Sequence, residues 1–352
     1  MSTSGSGQPQ VSVVISNQNG TKWLPRCFEA LRRQTVARDL EVIMVDNVSA
    51  DDSVEIARKA VAQFPWGKVI QNPKDLGFTG GNNAGAEAAT APLIFFLSND
   101  TWLEPDCIEK LLGEFKAAGA DAACPVVLDY DSVDTFQSIG SDGIDLCGIP
   151  NTSRPMPATG ERFTIVGCGF LIRRDLFLKL GEFDLGHFMY AEETDLSWRV
   201  WIAGGKIVGV PSARMHHRPS VTTTTVDGES VAETRTSETK RFLANRNGML
   251  IILKNSQHIL LLLLLPYLLM LFLEMLASAV LVRRWGYIRK AYLGAVTGAF
   301  GMLGHVRQWR RRIRGFRQRG DFWMLRFLRL KPSRWDEAMR LLKIGVPKVE
   351  KR

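Results

Sequence analysis

The first hundred residues alternate short apolar runs with stretches of helical periodicity, and this alternation restricts the fold more than any other feature. Helical spacing of apolar residues, as in Lys22–Gln34, predicts helices that return the chain to a sheet. Strands joined in this way usually pair in parallel. We therefore predict an α/β fold with a parallel sheet. Its first strands are Val11–Ser16, Glu41–Asp46, Lys68–Gln71 and Pro92–Leu97.

Polar residues follow the predicted strands. Asn17 follows the first strand, Asp46 ends the second, and Asn99 and Asp100 follow the fourth. Ligands of open α/β sheets bind beyond the carboxyl ends of the strands. A carboxylate directly after an apolar strand needs a partner, and Mg²⁺ or Mn²⁺ would supply one. The sequence thus predicts a metal and diphosphate site at this edge, although an aspartate after a strand is often only a turn or cap residue.

A glycine- and amide-rich segment, residues 72–85, leads into a predicted helix. Glycines allow close backbone approach, and a helix N-terminus attracts anions. The segment contains neither the phosphate loop of kinase-type ATPases nor the fingerprint of dinucleotide-binding oxidoreductases. These two enzyme classes therefore lose support.

Three carboxylates open a predicted helix that begins at Glu192. Glu193 is adjacent, and Asp195 lies about one turn further on. Acidic residues at a helix start often only oppose the helix dipole, but a pair beside a metal–diphosphate site can supply a general base. His216 and His217 follow a later strand, and neighbouring histidines suit a metal ligand.

Seven segments, in this order, resemble the inverting GT-A glycosyltransferases of family 2, especially their bacterial rhamnosyltransferase-like branch. With a later NRN, they extend from Val11 to Asn247, about two thirds of the chain. The segments are VSVVISNQNG, EVIMVDNVSADDS, NPKDLGFTGGNNAG, FFLSND, GCGFLIRRDLF, GEFDLGHFMYAEETDLSWR and VPSARMHH.

The resemblance implies a GT-A fold, in which helices flank a Rossmann-like nucleotide-binding sheet. It also implies metal-dependent sugar transfer from a nucleotide-diphosphate donor, first guess dTDP-rhamnose, to a hydroxyl group. Asp100 and His216 would bind Mg²⁺ or Mn²⁺, and Glu193 would be the base. Asp46 would bind the nucleotide base. The full donor-binding set is Asn17, Asp46, Ser49, Gly81, Asn82, Asn83 and Asn99.

Two positions depart from the family pattern. The metal element reads Ser98-Asn99-Asp100, with one carboxylate instead of two. The usual aspartate of the family's Glu-Asp pair is Glu193, so the base is either Glu193 or Glu192. The first departure motivates an alternative function: a catalytically degraded binding or scaffold subunit of a membrane glycan-assembly complex.

A membrane-seeking region follows. Ile259–Val282 has a single charged residue, Glu274, and is long enough to cross a bilayer. A second apolar run, Ala291–Gly304, is shorter. Basic residues lie before, between and after the two runs, and a re-entrant or interfacial hairpin would keep all of them cytoplasmic.

The basic charge of the chain lies in its tail. Residues 305–352 carry a net charge of +12 and the first 304 residues −3. Arginines interleaved with aromatics predict a helix on an anionic leaflet, with the aromatics at headgroup depth, rather than nucleic-acid binding.

We therefore expect four regions: a disordered N-terminus (1–10), a GT-A domain (11–250), an apolar membrane-associated helical hairpin (251–304) and a basic amphipathic tail (305–352). Arg246 would contact the diphosphate of a polyprenyl-diphosphate-linked glycan acceptor, with Asp195 also on the acceptor side. Five scattered cysteines and a polar N-terminus suit the cytoplasmic face of a bacterial inner membrane. A homodimer is compatible with the sequence.

Overall fold

The computed structural model describes residues 7–151, 153–218, 222–226, 229–233, 236–330 and 349–350. Parts of the predicted N-terminus (1–10) and of the predicted tail (305–352) lie outside these residues. The chain divides into two compact units. The sheet unit comprises Met1–Gly140, Ser153–Phe188 and Gly205–Arg218, and the helical unit comprises Ser141–Thr152, Met189–Gly204 and Pro219–Arg352.

The sheet unit is built on one ten-stranded sheet. Its strands are β1 (Val11–Asn17), β2 (Leu40–Asp46), β3 (Trp66–Gln71), β4 (Leu93–Ser98), β5 (Thr101–Leu103), β6 (Ala122–Asp129), β7 (Phe136–Ser138), β8 (Gly160–Glu161), β9 (Gly169–Arg173) and β10 (Ile207–His217). Its helices are α1 (Leu24–Arg32), α2 (Ser53–Val61), α3 (Gly77–Ala88), α4 (Cys107–Ala117) and α5 (Arg174–Leu180), with a 3₁₀ turn at Ala37–Asp39.

The sheet is mixed rather than parallel throughout. Its strand order is β3-β2-β1-β4-β9-β6-β10-β5, with β7 paired to β6 and β8 to β10. The four strands from β3 to β4 are parallel, as predicted, whereas β9 runs antiparallel to both β4 and β6. An apolar run indicates that a strand is buried but does not encode its direction, so β9 could not be oriented from the sequence.

Close packing explains the glycines of α3. A Cβ added at Gly81 would lie 2.3 Å from Ser16 Oγ, and one at Gly85 would lie 2.3 Å from Val14 Cγ1. Both contacts are shorter than van der Waals distance, so side chains there would push α3 away from β1. The glycine-rich segment therefore brings a helix against the first strand, beside the polar residues that end it.

Strand β6 lies in residues 121–162, where Asp, Gly and Pro are common and the sequence predicts irregular loops with a hairpin. It is buried along almost its whole length and forms a hairpin with β7. Alanine, cysteine and proline have little strand propensity, so the sequence of this strand is atypical. Its ladder with β10 shifts register directly after the pair of Pro125 and Val210.

The helical unit contains α6 (Glu192–Ile202), α7 (Glu238–Asn255), a 3₁₀ turn (Leu260–Leu263), α8 (Leu264–Leu281), α9 (Trp285–Ile288), a π-helical turn (Arg289–Gly294), α10 (Ala295–Gly301), α11 (Leu303–Phe316), α12 (Asp321–Met324) and a second 3₁₀ turn (Leu325–Phe327). Two short sheets accompany these helices: β11 (Thr222–Val226) with β12 (Glu229–Glu233), and β13 (Thr236–Ser237) with β14 (Val349–Glu350).

Helix α7 is the centre of this unit and contacts α6, α8, α10, α11 and the π-helical turn. Two arginines from later in the chain bind the free carbonyl groups at the C-terminal end of α7. Arg310 donates to Leu253 O and Ser256 O, both at 2.7 Å, and Arg317 donates to Asn255 O at 2.6 Å. Cationic groups at the last carbonyls of a helix are favourable because they oppose its dipole.

The described part of the tail differs from its prediction. One face of α11, formed by Val306, Trp309, Ile313 and Phe316, is buried within the protein. Its aromatic residues are therefore core residues rather than headgroup anchors. The periodicity of α11 is amphipathic in either case, and only packing distinguishes the two roles.

The segment Leu260–Leu281 has the length and composition of a membrane-crossing helix, with a mean hydropathy of 2.4. Only 22% of its most apolar window is buried, unlike the core helix of a soluble protein. Several of its large apolar side chains are exposed, namely Leu262, Leu265, Leu269, Phe272, Leu273, Leu276, Val280 and Leu281. This segment fits a membrane-associated region.

One carboxylate at the start of α12 provides a stability test. Asp321 is buried and accepts hydrogen bonds from the backbone N–H groups of Gln257, His258 and Leu260 at 2.8–3.0 Å. Asp321→Ala leaves these donors unpaired, so we expect the free energy of unfolding to fall by about 2 kcal/mol or more. Denaturant unfolding measures the change. The exposed Asp131→Ala is the control, and equal stability of the two variants would contradict this role.

Candidate active site

The residues that end β1 and β2 form one polar cluster. The strands pair in register with Asn17 opposite Asp46. Asn17 Nδ2 lies 3.3 Å from Asp46 Oδ1 and 3.2 Å from Ser49 Oγ, and the Ser49 backbone N–H donates to Asp46 Oδ2 at 2.9 Å. Asn17 and Asp46 are each only 2% exposed. The structure thus brings together three residues that the sequence predicted as donor ligands.

Val48, which was not predicted as a site residue, lies beside this cluster in the chain. Its φ is 59°, in the left-handed region, and its side chain is exposed. A β-branched residue rarely adopts this conformation, because its side chain crowds the following carbonyl. Such strain is concentrated at binding sites. Residue type and periodicity do not indicate the left-handed conformation of Val48.

Asn17 also links the first cluster to the end of β4. Asn99 donates from Nδ2 to Asn17 Oδ1 at 2.6 Å. A Cβ at Gly20 would lie 2.0 Å from that oxygen and 2.5 Å from Asn99 Nδ2, so only glycine fits there. The amide of Asn17 therefore uses its donor end toward Asp46 and its acceptor end toward Asn99.

The glycine-rich helix contributes differently from its prediction. Gly81 packs against Ser16 and Asn47, at the end of the polar cluster. Asn82 donates to Phe78 O at 2.9 Å. Asn83 is buried, and its amide both donates to Phe183 O and accepts from Phe183 N, at 2.8 and 3.0 Å. We therefore expect Asn83 to brace the turn after α5 rather than to contact a donor.

Asn47 was not among the predicted ligands, yet it connects the glycine-rich segment to β2. Its Nδ2 donates to Gly77 O at 3.0 Å, and its Oδ1 accepts from Asn72 at 2.8 Å. Its position directly after Asp46 is the sequence feature that could have identified Asn47 as a site residue.

Asp100 faces His217, whereas the sequence prediction named His216. His217 Nε2 lies 3.7 Å from Asp100 Oδ1. The His216 ring is fully buried and stacked on Trp102 at 3.6 Å between ring centroids, with Nδ1 2.9 Å from Asp129 O. Successive side chains of β10 point to opposite faces, so two adjacent histidines cannot both reach Asp100. The geometry replaces His216 with His217.

The electrostatics of this pair suit a cation. Burial raises the pKa of Asp100, and the positive charge that His217 can carry opposes this rise. Burial likewise lowers the pKa of His217, and Asp100 opposes that change. A lowered pKa favours the neutral imidazole, which is the form that binds metals. One carboxylate oxygen and one imidazole nitrogen fit Mn²⁺ better than the all-oxygen shell of Mg²⁺.

Cation–π contacts surround the same end of the sheet. The Arg218 guanidinium lies 4.4 Å from the Trp23 ring centroid, and its backbone N–H donates to Asp100 O at 3.1 Å. Arg26 lies between Trp102 and Tyr130, at 4.4 and 4.5 Å. These residues were not predicted from the sequence, although Trp102 and Arg218 nearly adjoin Asp100 and His217 in the chain.

In the helical unit, Glu192 and Glu193 begin α6 after a strained turn, in which Tyr190 and Ala191 have φ of 72° and 64°. Burial, reinforced by the charge of Glu193, raises the pKa of Glu192 well above its ordinary value. Burial also raises the pKa of Glu193, but a hydrogen bond from Thr194 at 3.0 Å lowers it. Burial therefore favours the neutral form of both carboxyls, more strongly for Glu192 than for Glu193.

Asp195 has a structural environment, contrary to its predicted place on the acceptor side. It is fully buried, and its oxygens lie 2.9 Å from Arg199 Nη2, 3.0 Å from Lys254 Nζ and 2.8 Å from Asn255 Nδ2. Both cations also lie over the Trp309 ring, at 4.9 and 4.6 Å. The group ties α6 to α7 and α11.

The predicted acceptor ligand Arg246 lies on α7. Its guanidinium donates to Asn247 Oδ1 at 2.9 and 3.1 Å and lies 5.4 Å from the Phe242 ring. Asn247 in turn donates from Nδ2 to Met189 O and Tyr190 O, at 2.9 and 2.8 Å. The NRN segment therefore holds the strained turn that leads into Glu192.

Comparison with known proteins agrees with this architecture. Residues 12–181 match the model of glycosyl transferase family 2. EpsH of Bacillus subtilis, named as a glycosyltransferase, is 34% identical over 136 residues, which are 38% of this chain and 38% of EpsH. The chain thus spans well under half the length of this relative.

Solved structures show the same fold. The structure of GalNAc-T7 with UDP, GalNAc and Mn²⁺ superimposes with a TM-score of 0.57 at 17% identity, covering 72% of this chain and 49% of that chain. Residues 1–349 of TarS from S. aureus, in complex with UDP-GlcNAc, give a TM-score of 0.54 at 16% identity, covering 87% and 83%. Residues 12–181 are therefore similar to family 2 glycosyltransferases, and the structure has the GT-A fold.

Proposed function

We propose that the chain is an inverting glycosyltransferase that moves a sugar from a nucleotide-diphosphate donor to a hydroxyl group of a lipid-linked glycan. The observation that carries the proposal is the polar cluster in which Asn17 joins Asp46 and Asn99 at the carboxyl ends of three neighbouring strands. Nucleotides bind in this place on open α/β sheets.

The donor would lie along this edge. Asp46, oriented by Asn17 and Ser49, offers a carboxylate to the N–H groups of a pyrimidine base. Asp100 and His217 would hold a divalent cation, with Mn²⁺ favoured, which supplies neutralisation of the leaving diphosphate. Arg218, fixed on Trp23 beside Asp100, adds a positive charge from the chain itself.

Glu193 would act as the general base. Its carboxylate accepts the proton of the attacking hydroxyl group as the new C–O bond forms and the bond to the diphosphate breaks. Attack on the face opposite the diphosphate inverts the anomeric carbon. The raised pKa of Glu192 favours its neutral form, which would limit charge repulsion beside the base.

The partners are also proposed. Resemblance to the rhamnosyltransferase-like branch supports dTDP-rhamnose as the first donor to assay, and the UDP-sugar complex of TarS supports UDP-hexoses as the second. The exposed apolar face of α8 supports a polyprenyl-diphosphate-linked acceptor and an anionic membrane surface. We place the protein at the cytoplasmic face of a bacterial inner membrane, with no nucleic-acid partner.

Substitution of the base tests the mechanism. Glu193→Gln keeps the shape but removes the proton acceptor, so we expect transfer to fall by roughly 10²–10⁴-fold with unchanged nucleotide affinity. Glu192→Gln is the matched control and should cost much less, because the raised pKa of Glu192 disfavours the charged form that a base needs. Radiolabelled-donor assays and calorimetric nucleotide titration give the two readouts. Near-normal turnover of Glu193→Gln would refute the assignment, and no turnover of any donor by the wild type would favour the scaffold alternative.

The two histidines should separate binding from stability. His217→Ala should weaken donor binding in the presence of Mn²⁺ and leave binding in chelator unchanged, because it removes a ligand of the cation. His216→Ala should mainly lower the melting temperature, because it removes a buried ring stacked on Trp102. Titration of nucleotide with Mn²⁺ and with chelator decides between them. Loss of the Mn²⁺ effect in His216→Ala alone would reverse the assignment.

The pH profile should report on Glu193. A base works only when deprotonated, so activity is lost as the pH falls through the raised pKa of Glu193, above the ordinary value of about 4.3. Thr194→Val removes a hydrogen bond that lowers this pKa, so the acidic limb of kcat should move to higher pH. Glu192→Gln should leave the limb in place. A limb that moves with Glu192→Gln but not with Thr194→Val would identify Glu192 as the base.

A further inference from the structure

A groove on the helical unit takes no part in the proposed chemistry. Its cavity volume is about 550 Å³. It lies where the start of α7 meets the π-helical turn and α10, and it is open to solvent. The side chains and backbone that matter for its chemistry belong to Glu238, Arg289, Lys290, Leu293, Gly294 and Thr297.

The charge of the groove favours an anion. Arg289 and Lys290 form no salt bridge with any residue that the structure describes, and Lys290 Nζ lies 3.0 Å from Thr239 Oγ1. Glu238 is the one acidic side chain of the lining. Burial, together with the charge of Arg241, lowers the pKa of the neighbouring Lys240, which is consistent with a surplus of positive charge at this end of α7.

The backbone holds the two cations in place. Arg289 and Lys290 begin the π-helical turn, a rare conformation that is frequent at functional sites. The turn is secured from α7, because the fully buried Asn245 donates to Ala291 O at 2.9 Å. Tyr267 of α8 donates to Asn245 O at 3.0 Å. Arg289 and Lys290 are thus exposed side chains on a fixed backbone.

The surroundings of the groove are apolar. Leu293 in its lining is 43% exposed, and Trp285 at the start of α9 is 68% exposed. Helix α8 contacts both α9 and the π-helical turn, and most of its large apolar side chains away from Tyr267 and Leu271 are at least partly exposed. A ligand that matches both features has a phosphate group attached to a long apolar chain.

We propose that this groove binds the diphosphate of a polyprenyl-diphosphate lipid, with the isoprenoid chain along the exposed face of α8. Arg289 and Lys290 pair with the diphosphate oxygens, and the Thr297 hydroxyl lies within the same lining. The choice of a polyprenyl acceptor rests on the proposed function. The observation that a fixed cationic pair lies next to an apolar helix does not depend on the proposed function.

Farnesyl diphosphate is a suitable probe, titrated into the full chain in detergent micelles and followed by calorimetry. We expect Arg289→Ala/Lys290→Ala to weaken binding by at least roughly tenfold, since it removes two charge-assisted contacts. Glu238→Gln should tighten binding, because it removes the acidic side chain. Arg307→Ala/Arg311→Ala, which removes the same charge from the exposed side of α11, should leave affinity unchanged.

Two further ligands separate the sources of affinity. Inorganic pyrophosphate and farnesol should each bind at least roughly tenfold more weakly than farnesyl diphosphate. Pyrophosphate binding as tightly would replace the proposal with a free-anion site. Farnesol binding as tightly, or an equal loss in the α11 control, would overturn the role of Arg289 and Lys290.

Sugar transfer by the wild type, measured in parallel, keeps the two proposals apart. If the wild type binds farnesyl diphosphate through the groove but transfers no sugar, the proposed function fails and the groove remains. If the wild type transfers sugar to a lipid-linked acceptor, and the groove variants bind the probe and use that acceptor equally well, the groove fails and the function remains.

Discussion

The polar edge of the sheet unit depends on one side-chain amide. Asn17 ends the first strand, and its two polar atoms face different neighbours: its nitrogen faces Asp46 at the end of β2, and its oxygen accepts from Asn99 after β4. An amide can do this because it carries a donor and an acceptor about 2 Å apart, whereas a carboxylate would repel Asp46. Asn17 thus fixes the spacing between the residues proposed for the nucleotide and those proposed for the cation.

The helical unit depends on a different constraint, the cost of burying charge. Arg199 and Lys254 are both fully buried, and Asp195 lies between them with Trp309 beneath both cations. Removing one member of such a group leaves another charge uncompensated, which costs far more than an exposed ion pair contributes. The three helices that supply these residues are therefore held together by charge as well as by apolar contact. The same helix α7 carries Asn247, which orients the turn before the proposed base.

Much of the sheet edge could be predicted, because parallel strands end at a common edge and polar residues there are visible in the sequence. Asn17, Asp46 and Asp100 follow from this rule alone. Strand direction does not follow, as β9 shows, nor does a strand such as β6, which begins with Ala-Ala-Cys-Pro. The contacts of individual side chains could not be predicted either, because they too depend on tertiary packing. Asn83, Asp195 and Trp309 have the residue types of binding or membrane groups, and only the packing around them shows that they brace the protein.

The register shift in the ladder between β6 and β10 has a chemical consequence. It lies between Val210 and Arg214, upstream of the two histidines in the same strand. Each residue gained or lost in a strand inverts the facing of everything beyond it. The register shift beside Pro125 thus determines which histidine side chain faces Asp100 and which one stacks on Trp102. The choice between the two histidines as the proposed cation ligand is therefore made several residues away, by a backbone feature with no metal chemistry of its own.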